Sequence, residues 1–106
     1  MKETGRLDVL INNAGGSPPI VAADAPPKLT EKIIQLNLLG PLYCAQAAYN
    51  AMIATAGTGS IVSIASVSAV RPSPGTAAYG AAKAGLVNLT RSLSMEWAPQ
   101  VRVNAI

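Results

Sequence analysis

The sequence predicts an α/β fold in which a three-stranded parallel sheet is linked by long helices. Three short aliphatic runs, at 7–12, 60–66 and 101–106, read as strands, and helical patterns at 30–56 and 77–97 separate them. Strands that alternate with long helices require right-handed crossovers and therefore parallel pairing. The runs are nearly continuous in apolar residues, as expected of a sheet covered on both faces.

The elements follow in order. Leu7, Val9, Leu10 and Ile11 form the first run, which ends in the turn residues Asn12-Asn13-Ala14-Gly15-Gly16. Residues 17–27 hold four of the eight prolines and read as a surface loop. Thr30 is placed to cap a helix whose apolar positions Ile33, Ile34, Leu36, Leu38 and Leu42 continue to about residue 56, where Gly57 and Gly59 stop it. Inside that helix Pro41 cannot donate to the carbonyl of Asn37, so a kink is expected there. An asparagine in an apolar helix is unfavourable unless something uses it. Ser60 to Ser66 is rich in β-branched residues, and the next ten residues, with Pro72, Pro74 and Gly75, read as loop. The last helix carries Leu86, Leu89 and Leu93 on one stripe, small residues Gly80, Ala81, Ala84 and Gly85 near its start, and Pro99 beyond its end. The strands are expected to lie side by side in chain order with both helices on one face, leaving the other face and the edge of the first strand bare in this chain.

Composition narrows the function classes. At 106 residues and 10.8 kDa the chain suffices for one small domain, and half its residues are hydrophobic against 12% charged, which excludes a disordered chain. The net charge of +3 comes from eight scattered basic residues, so no nucleic-acid partner is expected. The most apolar stretch, 36–48, is broken by Asn37, Pro41 and Gln46, so no membrane span is expected. No signal peptide is recognisable at the start. A single cysteine, Cys44, suits a reduced, cytoplasmic setting and reads as a small buried hydrophobe. With no histidine, Ser-His-Asp and Cys-His machinery is excluded, and no metal site is expected.

A proton-moving site without imidazole is nevertheless legible. Tyr79 and Lys83 are four apart, which puts a phenol and an ammonium on one helix face. A phenol is a poor base at neutral pH, and a cation beside it favours the ionised form. Ser66 stands at the end of the second strand, thirteen residues before Tyr79. In parallel sheets ligands bind beyond the carboxyl ends of the strands. The turn at 12–15, Ser66 and the first turn of the Tyr79 helix all converge there.

In order and spacing, Asn12-Asn13-Ala14-Gly15, Asn37, Ser66, Tyr79, Lys83 and Arg102-Val103-Asn104-Ala105 resemble the short-chain dehydrogenase/reductase family. The resemblance covers nearly the whole chain. It implies a Rossmann-like doubly wound sheet, present here as a three-stranded partial domain over residues 1–106, and NAD or NADP as cofactor. It further implies hydride transfer between that cofactor and a small alcohol or ketone. Asn37, Ser66, Tyr79 and Lys83 would be catalytic, and Asn13, Ala14, Gly15, Tyr79 and Lys83 would contact the cofactor. Tyr79 would be the acid–base group, Lys83 would also hold the nicotinamide ribose, Ser66 would donate to the substrate oxygen, and Asn37 would hold a relay water through its carbonyl. Homo-oligomers are implied too, often through the helices of Asn37 and Tyr79. The family's glycine-rich phosphate turn and its substrate region find no counterpart in these residues, so the isolated chain is expected to self-associate, bind cofactor weakly and be inactive. The alternative is a non-catalytic or truncated Rossmann-type binding module.

Overall fold

The computed structural model describes residues 7–12 and 15–106. Three strands, β1 (Val9–Asn12), β2 (Gly59–Ser63) and β3 (Val101–Ala105), pair in parallel in the order β1-β2-β3. Ile11 lies opposite Val62, and Ile61 opposite Val103. The expected class and strand order are therefore present.

The strands are shorter than their apolar runs. β2 ends at Ser63, although the amides of Ile64 and Ala65 still donate to Asn12 O (2.9 Å) and Ile106 O (2.7 Å). Beyond Ala65 the chain tightens into a 3₁₀ turn, Val67–Ala69, whose Ala69 amide bonds to Ser66 O, so Ser66 opens a turn rather than closing the strand.

The first helical run begins earlier than expected. Helix α1 (Pro27–Ile34) starts with Pro27 at its first position and Pro26 before it, and no side chain caps it. Thr30 is thus inside the first turn, its amide bonded to Pro26 O. A proline's fixed φ suits a first turn, where its missing N–H goes unneeded. Pro41 does not break the run. A π-helical turn, Gln35–Leu39, carries it into α2 (Gly40–Thr55), with the Gly40 amide bonded five residues back to Gln35 O. The wider turn accommodates a proline that can offer no N–H to the carbonyl four residues earlier. Helix α3 (Ala77–Trp97) has the expected limits and gives way to extended backbone at Ala98.

α2 packs on β1 and β2, and α3 on β3, while α1 and the π turn lie against α3. Ala45, Ala48 and Met52 of α2, Ile61, Val101 and Val103 of the sheet, and Leu93 of α3 form one buried cluster. Tyr49 and Trp97 stack beside it with ring centroids 4.4 Å apart. Gly59 is a close-approach position, since a Cβ there would run into the Met52 side chain. Near the start of α3, Gly80 is pressed against Ser73 and Ser68 and Gly85 against Leu38, whereas Ala81 and Ala84 face out.

One expectation holds, that both helices lie on one face of the sheet and leave the other bare, and one needs correction, the burial of Cys44. Among the described residues the helices cover one sheet face only: Val101 and Val103 point into the core, Arg102 and Asn104 out of it, and Val9 and Ile11 are 55% and 64% exposed. Their apolar character matches a face that nothing described here covers. Cys44 is exposed, because α2 turns Ala45 and Ala48 inward and presents Tyr43 and Cys44 outward.

Met52 is fully buried at the centre of this cluster. Met52→Ala is expected to lower the unfolding free energy by about 2–5 kcal/mol. Denaturant titration followed through Trp97 fluorescence would show it, and an unchanged midpoint would remove Met52 from the core.

Candidate active site

The strands end at Asn12, Ser63 and Ala105, and the polar groups beyond these ends hold one another in place. Asn12 is buried, and its Nδ2 donates to Pro41 O at 3.1 Å, bolting the end of β1 to the start of α2. After it the chain passes through Gly15 and Gly16 at φ of 139° and 143°, conformations that side chains other than glycine rarely adopt.

Asn37, in the π turn, is fully buried. Its Oδ1 accepts the Gly16 amide at 2.9 Å, and its Nδ2 donates to Gly16 O at 2.8 Å and to Ile33 O at 2.9 Å. One amide side chain thereby satisfies both backbone groups of Gly16, as a neighbouring strand would. The π turn supplies the register that aims it there. This use accounts for an asparagine in an apolar helix.

Lys83 is 4% exposed, and its Nζ donates to Ile64 O at 3.0 Å. That bond compensates a buried ammonium and ties α3 to the end of β2. Nζ also lies 5.8 Å from the centroid of the Tyr79 ring, within cation–π range. Tyr79 itself is half-buried. Gly15 closes the other side of the lysine: a Cβ on it would collide with Asn37 Oδ1 and lie 3.4 Å from Lys83 Nζ. Ser66, two residues past the carbonyl that holds Lys83, is half-buried, and its Oγ accepts the Ser68 amide at 3.2 Å. With its lone pair so engaged, the hydroxyl keeps its own hydrogen to donate.

Of the sequence-predicted site residues, Gly15, Asn37 and Lys83 form one contact group, Tyr79 stands over Lys83, and Ser66 sits on the turn that follows Lys83's anchor. Asn13 and Ala14 lie outside the described residues. Two contributors escaped the sequence reading. Gly16 was legible only as half of a Gly-Gly pair, and Asn12 only as the start of the Asn12-Asn13-Ala14-Gly15 turn, with no sign that its buried amide is what joins β1 to α2. Among the described residues no group of acidic, cysteine or histidine side chains could hold a metal ion, and no helix is long and apolar enough to cross a membrane.

The whole chain, residues 1–106, matches the family model for short chain dehydrogenases. It is 42% identical over 102 residues to an NAD-dependent glycerol dehydrogenase of Listeria innocua, an alignment that takes in 95% of this chain and 40% of that protein. Its fold superimposes on the crystal structure of acetoin dehydrogenase from Salmonella typhimurium with a TM-score of 0.92 at 37% identity, over 98% of this chain and 42% of that one. The structure of ElxO with NADP bound is similar as well, with a TM-score of 0.88 and 32% identity over 98% of this chain and 42% of its own. The chain belongs to the short-chain dehydrogenase/reductase family, and it spans about 40% of the length of the relatives it matches.

Gly15→Ala is expected to be destabilising on two counts, the positive φ and the collision with Asn37, by about 1–3 kcal/mol or more. Gly57→Ala is the control, with positive φ but open space around the added carbon. Equal losses in thermal unfolding would refute the close approach at Gly15.

Proposed function

We propose that this chain forms the catalytic part of an NAD- or NADP-dependent oxidoreductase that interconverts a small alcohol and its carbonyl compound. On this reading, residues 1–106 are a partial Rossmann-type dinucleotide-binding domain. The observation that carries it is the Tyr79–Lys83 pair, a phenol beside a buried ammonium whose own anchor is a backbone carbonyl at the carboxyl edge of a parallel sheet.

The residues suit a nicotinamide cofactor. Lys83 has three N–H donors and Ile64 uses one, which leaves capacity for hydroxyls of a ribose. Gly15 offers bare backbone at the same edge, where a ligand can approach closely. Asn13 and Ala14 complete this proposed contact set. When bound, the cofactor supplies the hydride chemistry.

The chain's own residues would then handle the proton and the developing charge. In reduction the Tyr79 hydroxyl gives its proton to the substrate oxygen, and in oxidation the phenolate takes it back. Lys83 stabilises that phenolate through its positive charge. Ser66 donates its free hydrogen to the substrate oxygen and stabilises negative charge there. Asn37 acts through structure, holding Gly16 and with it the loop beside Lys83; a relay water at its carbonyl remains part of the proposal. Leu36 and Tyr43, exposed on the first helical run, support a homo-oligomer built on that face. A reducing, cytoplasmic setting suits the single cysteine.

Joined to the flanking segments that its relatives possess, the chain with Tyr79→Phe is expected to lose about 10²–10⁴-fold in kcat with little change in cofactor affinity. Lys83→Met should impair both turnover and cofactor binding. Near-normal turnover in Tyr79→Phe would show that the phenol is not the acid–base group.

A further inference from the structure

The strap between Ser66 and α3, residues 67–76, carries three hydroxyls that bond in a chain. Ser73 Oγ donates to Ser68 Oγ at 3.2 Å and is hydrogen-bonded to Thr76 Oγ1 as well. A hydroxyl has one hydrogen to give. Ser73 gives its own to Ser68, so Thr76 supplies the hydrogen of the other bond, and the chain runs one way, towards the turn of Ser66. Thr76 stands at the N-cap of α3, where a threonine hydroxyl ordinarily accepts an amide of the first turn, yet no side chain caps this helix. Its hydroxyl is turned to the strap instead.

The strap also rests directly on α3. Gly80 is buried, and a Cβ on it would lie 2.7 Å from Ser73 Cβ and 3.2 Å from Ser68 O. Ser66 is therefore bracketed by two ties to the same helix. Two residues before it, Ile64 O is held by Lys83 Nζ; two residues after it, Ser68 lies against Gly80. Between them Ser66 Oγ accepts the Ser68 amide at 3.2 Å, which restrains its side chain relative to the second tie. Gly80 and Lys83 both lie within about one helical turn of Tyr79, so the two ties place Ser66 relative to the phenol. We propose that Ser73, through its hydroxyl chain with Ser68 and Thr76, is a positioning residue that sets Ser66 against Tyr79 so that both hydroxyls reach one substrate oxygen. The effect on turnover rests on the reaction proposed above, whereas the bracketing of Ser66 does not.

Two measurements on the chain joined to the flanking segments of its relatives test this separately. Amide hydrogen exchange, read before any cofactor or substrate is added, compares the unaltered protein with Ser73→Ala, which keeps the carbon packed on Gly80. The Ser68 and Ala69 amides, bonded to Ser66 Oγ and Ser66 O, should exchange at least about tenfold faster in the variant, while those of β2 are unchanged. Turnover then tests the consequence through a double-mutant cycle with Ser66→Ala. Ser73→Ala should lower kcat about tenfold in the unaltered background, with little change in KM for the cofactor. In the Ser66→Ala background its effect should shrink to less than about twofold. Thr76→Val should reproduce the loss, and Thr76→Ser, which keeps the hydroxyl, should not. Unchanged exchange at Ser68 and Ala69 would overturn the proposal, and so would an equal loss of kcat in both backgrounds, the mark of general destabilisation. Faster exchange in a protein that shows no turnover would uphold the bracketing and count against the reaction alone.

Discussion

Everything at the candidate site depends on the grip of Asn37 on Gly16. A buried amide with three hydrogen bonds joins the long helical run to the loop leaving β1, and it does so from the one turn in that run that is wider than an α-helix. An exposed loop with two consecutive glycines at positive φ would otherwise sample many conformations. Held by Asn37, it presents bare backbone against Lys83. The π turn follows in turn from Pro41, whose carbonyl receives Asn12 Nδ2, so one proline both shapes the helix and anchors the strand end.

The second tie is Lys83 to Ile64. A buried ammonium is tolerable only where its donors are used, and here the acceptor is a carbonyl just past the end of β2. Helix α3 is thereby tied to the sheet near its first turns, while further along Leu93 packs into the core and the Tyr49–Trp97 stack ties it to α2. Tyr79 and Ser66 inherit their positions from these ties: one from the helix that Lys83 fixes, the other from the turn that follows Ile64.

Much of this was legible in the residues. The strand order, the parallel pairing and the limits of α3 follow from alternation of aliphatic runs with a 3.6-residue stripe ending before a proline. The Tyr79–Lys83 face follows from a spacing of four. The start of the first helix was misplaced because Thr30 looks like a cap, whereas two prolines, needing no partner for a missing N–H, begin a helix without one. The π turn is invisible to periodicity, since one wide turn barely shifts a hydrophobic stripe, yet the oddity of an asparagine four residues before a proline pointed to the right place. Cys44 was misjudged because apolar neighbours in sequence do not fix which side of a helix faces the core. Gly16 and Asn12 acquire their roles only from residues more than twenty positions away.

Amide hydrogen exchange at Gly16 tests the central claim most directly. Its N–H is bound to a fully buried side-chain oxygen, so it should exchange far more slowly than the neighbouring amides of the loop at 21–24, and Asn37→Ala should abolish that protection while leaving the core amides of β2 protected. Exchange at Gly16 as fast as at those loop amides in the unaltered chain would contradict the account, because the grip on which the site is built would not persist in solution.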